Sequence, residues 1–252
     1  VRQSRRLRLT GAVLTFDPPP EAVLAGAQSF LQLTSLQDKV ALMHGLGVGV
    51  VYVMRFDRRL ARLGAEEFAG RVLREMLHTR LVVVGATHTF GAGGRGNAAT
   101  LTRMGGGLGF GVRVVEPVKV DGRVVTSTLI RKMLRGGQVK KAAQALGRGY
   151  RVSGQVVRGE GRGRGLGVPT LNLSCAPERL VPGSGIYACW AYWGEERHPA
   201  AVYIGTRPTF TAGRGGVAVE AHILGGGLRR PPGALTLEFV ERLRGDEKYE
   251  RC

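Results

Sequence analysis

The pattern of apolar residues changes once along this chain, and that change constrains the fold more than any other feature. Up to Gly147, short apolar runs alternate with helical patterns. The runs fall at residues 12–16, 48–54, 81–85 and 112–118, and they have the character of buried parallel strands. Between them Leu36, Val40 and Met43 recur at helical spacing behind Thr34 or Ser35 as candidate caps. Phe68, Val72, Leu73 and Met76 mark a second helix. This alternation predicts a doubly wound α/β sheet. After Gly147, strand-like pieces follow one another without helices, at 150–158, 168–173, 186–192, 200–204, 217–224 and 235–242, punctuated by Gly and Pro. Six short strands so spaced predict a small closed β-barrel. The expected domains are therefore 1–147 (α/β) and 148–252 (barrel). The last run, VERLRGDEKYERC, reads as the start of a terminal helix.

At 252 residues, either half is long enough to bury a core of its own. No uncharged apolar run approaches the ~18 residues of a membrane span. The opening stretch, VRQSRRLRLTGAVLTF, lacks the apolar region of a secretory signal. Cys175, Cys189 and Cys252 are odd in number and lack metal-ligand spacing, so they read as free thiols in a reducing cytoplasm. The net charge of +18 raises a nucleic-acid reading. The basic residues are mostly arginines scattered along the whole chain, which favours a soluble enzyme with a basic surface, suited to an anionic substrate such as ATP. Neither a nucleic-acid nor a membrane partner is expected. The chain begins at Val1 and enters a helical pattern at once, and it stops at Cys252 inside a charged run. It is expected to be a piece of a longer protein.

The segment most suggestive of chemistry is GEGRGRGLGVPTLN, residues 159–172. Glycine occupies every second position from Gly159 through Gly161, Gly163 and Gly165 to Gly167, with Arg162 and Arg164 between. Without Cβ atoms the backbone can approach a ligand closely, and successive exposed N–H groups make a nest for phosphate. In the strand pattern that follows, Val168, Thr170 and Asn172 share one face and Leu171 and Leu173 the other. Thr170 and Asn172 thus present two oxygens along one line, the hard ligands that Mg2+ takes beside phosphate and water. Alone, the glycine run reads equally as an Arg-Gly linker or an RNA-binding segment. In residues 217–224, Val217, Val219, Ala221 and Ile223 share one face, and Glu220 and His222 lie on the other. Pattern alone makes these two polar residues of a solvated strand face.

Together these pieces resemble a known family. VVRGEGRGRGLGVPTLNL is similar to the loop and PTAN motif of riboflavin kinases, with Leu171 in place of Ala. GSGIYACW, VYIGTRPTF, VAVEAHIL and LRGDEKY resemble further motifs of those kinases, in family order. The resemblance implies a riboflavin-kinase-like barrel using MgATP. It makes the loop glycines and Arg162 the ATP-phosphate site, Thr170 and Asn172 the metal ligands, and Glu220 the base that takes the proton of the riboflavin hydroxyl. His222 keeps its reading as a strand neighbour. TFDPPP, LTSLQDK, RFDRRLARLGAEEF and VVVGATHTFGAGGRGN resemble the nucleotidyltransferase-like FMN adenylyltransferase module that precedes this kinase in bacterial bifunctional enzymes. TSTLIR resembles that module's phosphate-contacting segment, which implies nucleotide contacts for Thr126, Ser127, Thr128 and Arg131.

The departures carry expectations of their own. Pro19 stands where the family has His, and Ala86, Thr87 and His88 replace an acidic pair and a Phe. No HxGH motif occurs among the five histidines. LGGGLRRPPG replaces a GDLYG-like segment near the flavin pocket. The expected product is FMN, with little or no FAD. An active bifunctional enzyme making FAD and a non-catalytic nucleic-acid binder are the alternatives.

Overall fold

The computed structural model describes residues 1–24, 30–158, 169–206, 217–225 and 231–245. Two compact units divide the chain: Val1–Phe30 with Thr34–Val118, and Leu31–Leu33 with Lys119–Cys252.

In the first unit, β1 (Ala12–Phe16) pairs in parallel with β2 (Val50–Met54). Then β3 (Leu81–Gly85) precedes the short pair β4 (Thr89–Phe90) and β5 (Gly96–Asn97), and itself pairs in parallel with β6 (Gly111–Val115). The expected doubly wound sheet is thus present as two parallel pairs. The helices are α1 (Arg2–Arg6), α2 (Pro20–Leu24), α3 (Leu36–Gly45), α4 (Arg58–Ala61), α5 (Ala65–Glu67) and α6 (Ala98–Leu108), with a π-helical stretch at Phe68–Met76. Their starts follow local chemistry. Ser35, not Thr34, caps α3 by accepting from the Asp38 N–H at 3.0 Å. Asp57 caps α4 through the Leu60 N–H at 2.8 Å, and that bond holds its carboxyl below the usual range. Asn97 caps α6 through Thr100.

The core of this unit joins Ala69, Leu73, Leu101, Phe90 and Phe110 to Leu14, Val82, Val84 and Val112. The strands are not buried on both faces as their continuous apolar runs predict. Val83 is exposed, while Val82, Val84 and Val112 on the opposite face are packed. The Phe68–Met76 stretch and α6 contribute the apolar side chains that cover the packed face.

The second unit begins with the short pair β7 (Lys119–Val120) and β8 (Arg123–Val124), then α7 (Ser127–Arg135) and α8 (Val139–Leu146). Gly147 ends α8 in the left-handed region at φ +69°, the conformation glycine adopts without steric cost. Six strands follow: β9 (Tyr150–Val157), β10 (Leu171–Cys175), β11 (Gly185–Trp193), β12 (Glu196–Thr206), β13 (Val217–Ile223) and β14 (Ala234–Arg244). They close in the order β10-β13-β12-β11-β14-β9, every ladder antiparallel.

Alternate residues of each strand fill the barrel, among them Tyr150, Val152, Tyr187, Val202, Leu237 and Phe239. Each fully buried apolar side chain of this size contributes ~1.5–3 kcal/mol. The barrel strands start close to the expected change at 147, yet Ile130 and Leu134 of α7 and Val139 and Ala142 of α8 belong to the same buried cluster. The apolar faces of those helices therefore group them with the barrel.

The expected terminal helix fails over its described part, and residues 246–252 lie outside the described residues. Residues 240–244 are not the start of a helix but the end of β14, whose residues pair with β11 up to Ile186↔Arg244 across two register shifts. The charged sequence looks helical, and its ladder partner decides otherwise. Cys175 and Cys189 are free thiols, and burial pushes both up in pKa. Cys252 lies outside the described residues.

Candidate active site

The candidate site is built on one ladder. β10 and β13 run antiparallel with Asn172 directly opposite Glu220, flanked by the pairs Leu171↔Ala221 and Leu173↔Val219. The flanking residues pack in the barrel core. Period-two alternation then turns Asn172 and Glu220 to the other face. Directly opposed residues of such a pair hold their Cβ atoms about 4.5–5.5 Å apart. The row continues on both sides, with Tyr203 of β12 opposite Glu220 and Val157 of β9 opposite Asn172. Asn172 is only 7% exposed, an uncommon degree of burial for an amide on the face away from the core. Glu220 is half-buried.

Thr170 sits half-buried just before β10. The strand begins at Leu171, later than the alternation suggests, and Val168 lies outside the described residues. The turn into the strand is fastened from β13: the His222 Nδ1–H donates to the Pro169 carbonyl at 2.9 Å. This residue is a contributor that strand periodicity assigned to a plain surface position. The signal for it was register. With 172 opposite 220, position 222 falls beside 170, but that register is not visible in either strand alone.

Gly159, Gly161, Arg162, Gly163, Gly165 and Gly167 lie outside the described residues. The chain leaves β9 at Arg158 and returns at Pro169, next to Thr170 and Asn172. The described residues hold no cluster of three or more His, Cys, Asp or Glu that could bind a metal by itself. The donor set is instead one hydroxyl and one amide, with a carboxylate opposite the amide. That set fits a hard cation which draws its remaining ligands from phosphate and water.

The second candidate group lies on α7. Thr126 is its N-cap, with Oγ1 accepting from the Leu129 N–H at 3.1 Å. Ser127 and Thr128 are exposed in the first turn, where free N–H groups and the helix dipole favour an anion. Arg131, one turn on, is half-buried and directs Nε to the Leu31 carbonyl at 2.9 Å. In the first unit, His88 stacks on Phe90 at 5.9 Å, and partial desolvation lowers its pKa.

Comparison with known proteins also finds two parts in the chain. A family model described as FAD synthetase matches residues 1–129, and one described as riboflavin kinase matches residues 146–252. Three curated relatives share the name bifunctional riboflavin kinase/FMN adenylyltransferase. That of Listeria monocytogenes is 34% identical over 86% of this chain and 68% of its own length. That of Bacillus subtilis is 31% identical over 96% and 76%, and that of Escherichia coli K12 is 29% identical over 98% and 78%. A crystal structure titled as a macrolide-efflux protein from Streptococcus pneumoniae matches with a TM-score of 0.89 at 25% identity, covering 99% of this chain and 81% of that one. Among the described residues, no helix of the present chain is long and apolar enough to cross a membrane.

Proposed function

This chain belongs to the bifunctional riboflavin kinase/FMN adenylyltransferase family, and from that premise we propose that its barrel transfers the γ-phosphate of ATP to the 5′-hydroxyl of riboflavin, giving FMN and ADP. The observation that carries the proposal is the pairing of Asn172 with Glu220 beside the return of the 159–168 connection.

In this reading the riboflavin oxygen forms a bond to the γ-phosphorus as the bond to the bridging β,γ-oxygen breaks. Glu220 accepts the hydroxyl proton, and ADP leaves with the bridging oxygen. Phosphoryl transfer asks little covalent work of a protein and much positioning. The backbone and Arg162 of the glycine loop would hold the phosphates, while Thr170 and Asn172 would hold a Mg2+ ion. When bound, that ion offsets the charge on the phosphate oxygens. The His222 bond to Pro169 fixes the entry to β10, so that Thr170 keeps its place.

The first unit resembles the FMN adenylyltransferase module, but Pro19, Ala86, Thr87 and His88 replace residues typical of it. We assign little FAD formation to this chain, and Thr126, Ser127, Thr128 and Arg131, which lie in the second unit, are proposed as nucleotide contacts. Use of ATP and riboflavin supports a cytoplasmic location for the chain.

The test is direct. The protein is incubated with riboflavin, ATP and Mg2+, and the flavins are separated by chromatography. FMN supports the reading, and unchanged riboflavin removes it.

A further inference from the structure

The barrel unit recruits three residues from far upstream. Leu31–Leu33 group with the barrel, although the residues on both sides of them group with the first unit. Gln32 forms a parallel bridge with Arg179: its N–H donates to the Glu178 carbonyl at 2.7 Å, and its carbonyl accepts from the Leu180 N–H at 2.9 Å. Leu31 and Leu33 pack against the barrel core. Arg131 of α7 clamps the same strap through the Leu31 carbonyl at 2.9 Å.

What the strap holds leads toward the candidate site. Leu180 is buried, and its carbonyl accepts from the buried Tyr150 hydroxyl at 2.6 Å. The Arg179 guanidinium donates to the Arg151 carbonyl and lies over the Tyr150 ring, 5.4 Å from its centre. Tyr150 and Arg151 begin β9, which is laddered to β10 from Gly154↔Cys175 to Val157↔Asn172. The 159–168 connection joins these two strands at their other end. Strands are stiff along their axes, so a hinge at Tyr150 and Arg179 would alter the seat of Arg158 and Asn172.

We infer that the Leu31–Leu33 strap, clamped by Arg131, positions the β9–β10 hairpin for ATP. Gln32 and Arg131 are then positioning residues for phosphoryl transfer, supplied from outside the barrel strands. The role in ATP use rests on the kinase reading above, whereas the anchoring of the hairpin does not.

The test uses the full chain with Gln32→Pro, which removes the N–H donor, and with Arg131→Gln and Arg131→Lys. FMN formation is followed at varied ATP, and amide hydrogen exchange is measured over residues 150–157 and 171–175. Loss of one partly buried hydrogen bond is expected to raise the KM for ATP roughly tenfold and to speed exchange in both strands. Arg131→Lys, which keeps a donor, is expected to recover most of the loss. If Gln32→Pro does not fold, the Arg131 pair decides. Unchanged exchange overturns the inference, as does faster exchange with an unchanged KM for ATP. If the unmodified chain makes no FMN, the kinase reading falls, and exchange alone then decides whether the strap anchors the hairpin.

Discussion

Asn172 and Glu220 are direct partners across the β10–β13 ladder, although 47 positions separate them in the chain. An amide that is nearly inaccessible and a half-buried carboxylate thus share one row, on the face turned away from the barrel core. In the proposed reaction this row sets the Mg2+ ligand beside the proton acceptor, although no local sequence motif contains both.

Glu220→Gln keeps the shape of the side chain and removes the basic carboxylate. FMN formation is expected to fall by about 10²–10⁴-fold, the usual contribution of a positioned general base. ATP binding, followed by calorimetry, is expected to remain. Turnover at the unmodified rate would take Glu220 out of the mechanism.

Asn172→Ala removes one proposed Mg2+ oxygen. The Mg2+ concentration for half-maximal FMN formation is expected to rise roughly tenfold or more, since supporting metal contacts carry effects of about 10–100-fold. A chelator should stop the reaction, and added Mg2+ should restore it. Activity indifferent to the chelator would exclude the metal.

Supplied with FMN and ATP, the chain is expected to yield no more than traces of FAD. Chromatography of the flavins checks this, and steady accumulation of FAD would contradict it.

Partial desolvation lowers the pKa of His88, whose ring stacks on Phe90 but remains exposed. The folded state therefore favours the neutral ring. Its contribution to stability is present above the ordinary value of 6.5 and is lost as pH falls through the depressed value. In His88→Phe the part of the acid sensitivity due to this ring is expected to disappear. Urea midpoints for both proteins between about pH 7.5 and 5 would show it, and identical slopes would refute it.

Tyr150→Phe deletes the hydroxyl that donates to the Leu180 carbonyl. A buried acceptor left unsatisfied costs ~1–3 kcal/mol. Urea unfolding should detect a loss in that range, and a change below about 0.5 kcal/mol would mean that the site relaxes without cost.

Local pattern carried a large part of this molecule. Strand alternation announced six barrel strands, and all six are present among the described residues. It also separated Val219 and Ala221, which are buried, from Glu220, which faces the other way. The cap at Ser35 follows from short-range hydrogen-bond chemistry that any chain of this sequence would have available. The glycine run and the Thr170–Asn172 spacing were equally visible, because they are contiguous.

Only tertiary structure decided which of those pieces meet. The register that sets Asn172 opposite Glu220, the His222 bond to Pro169, the packing of α7 and α8 with the barrel and the capture of Leu31–Leu33 all join residues distant in sequence. The same holds for residues 240–244, helical by local charge pattern and strand by their pairing with β11. Periodicity reports which face of an element is apolar. It does not report which element will cover that face, since closure of the barrel and burial of its core select the partner. Asn172, conspicuous in the sequence only as part of a spacing with Thr170, gains its proposed partner Glu220 only through that closure.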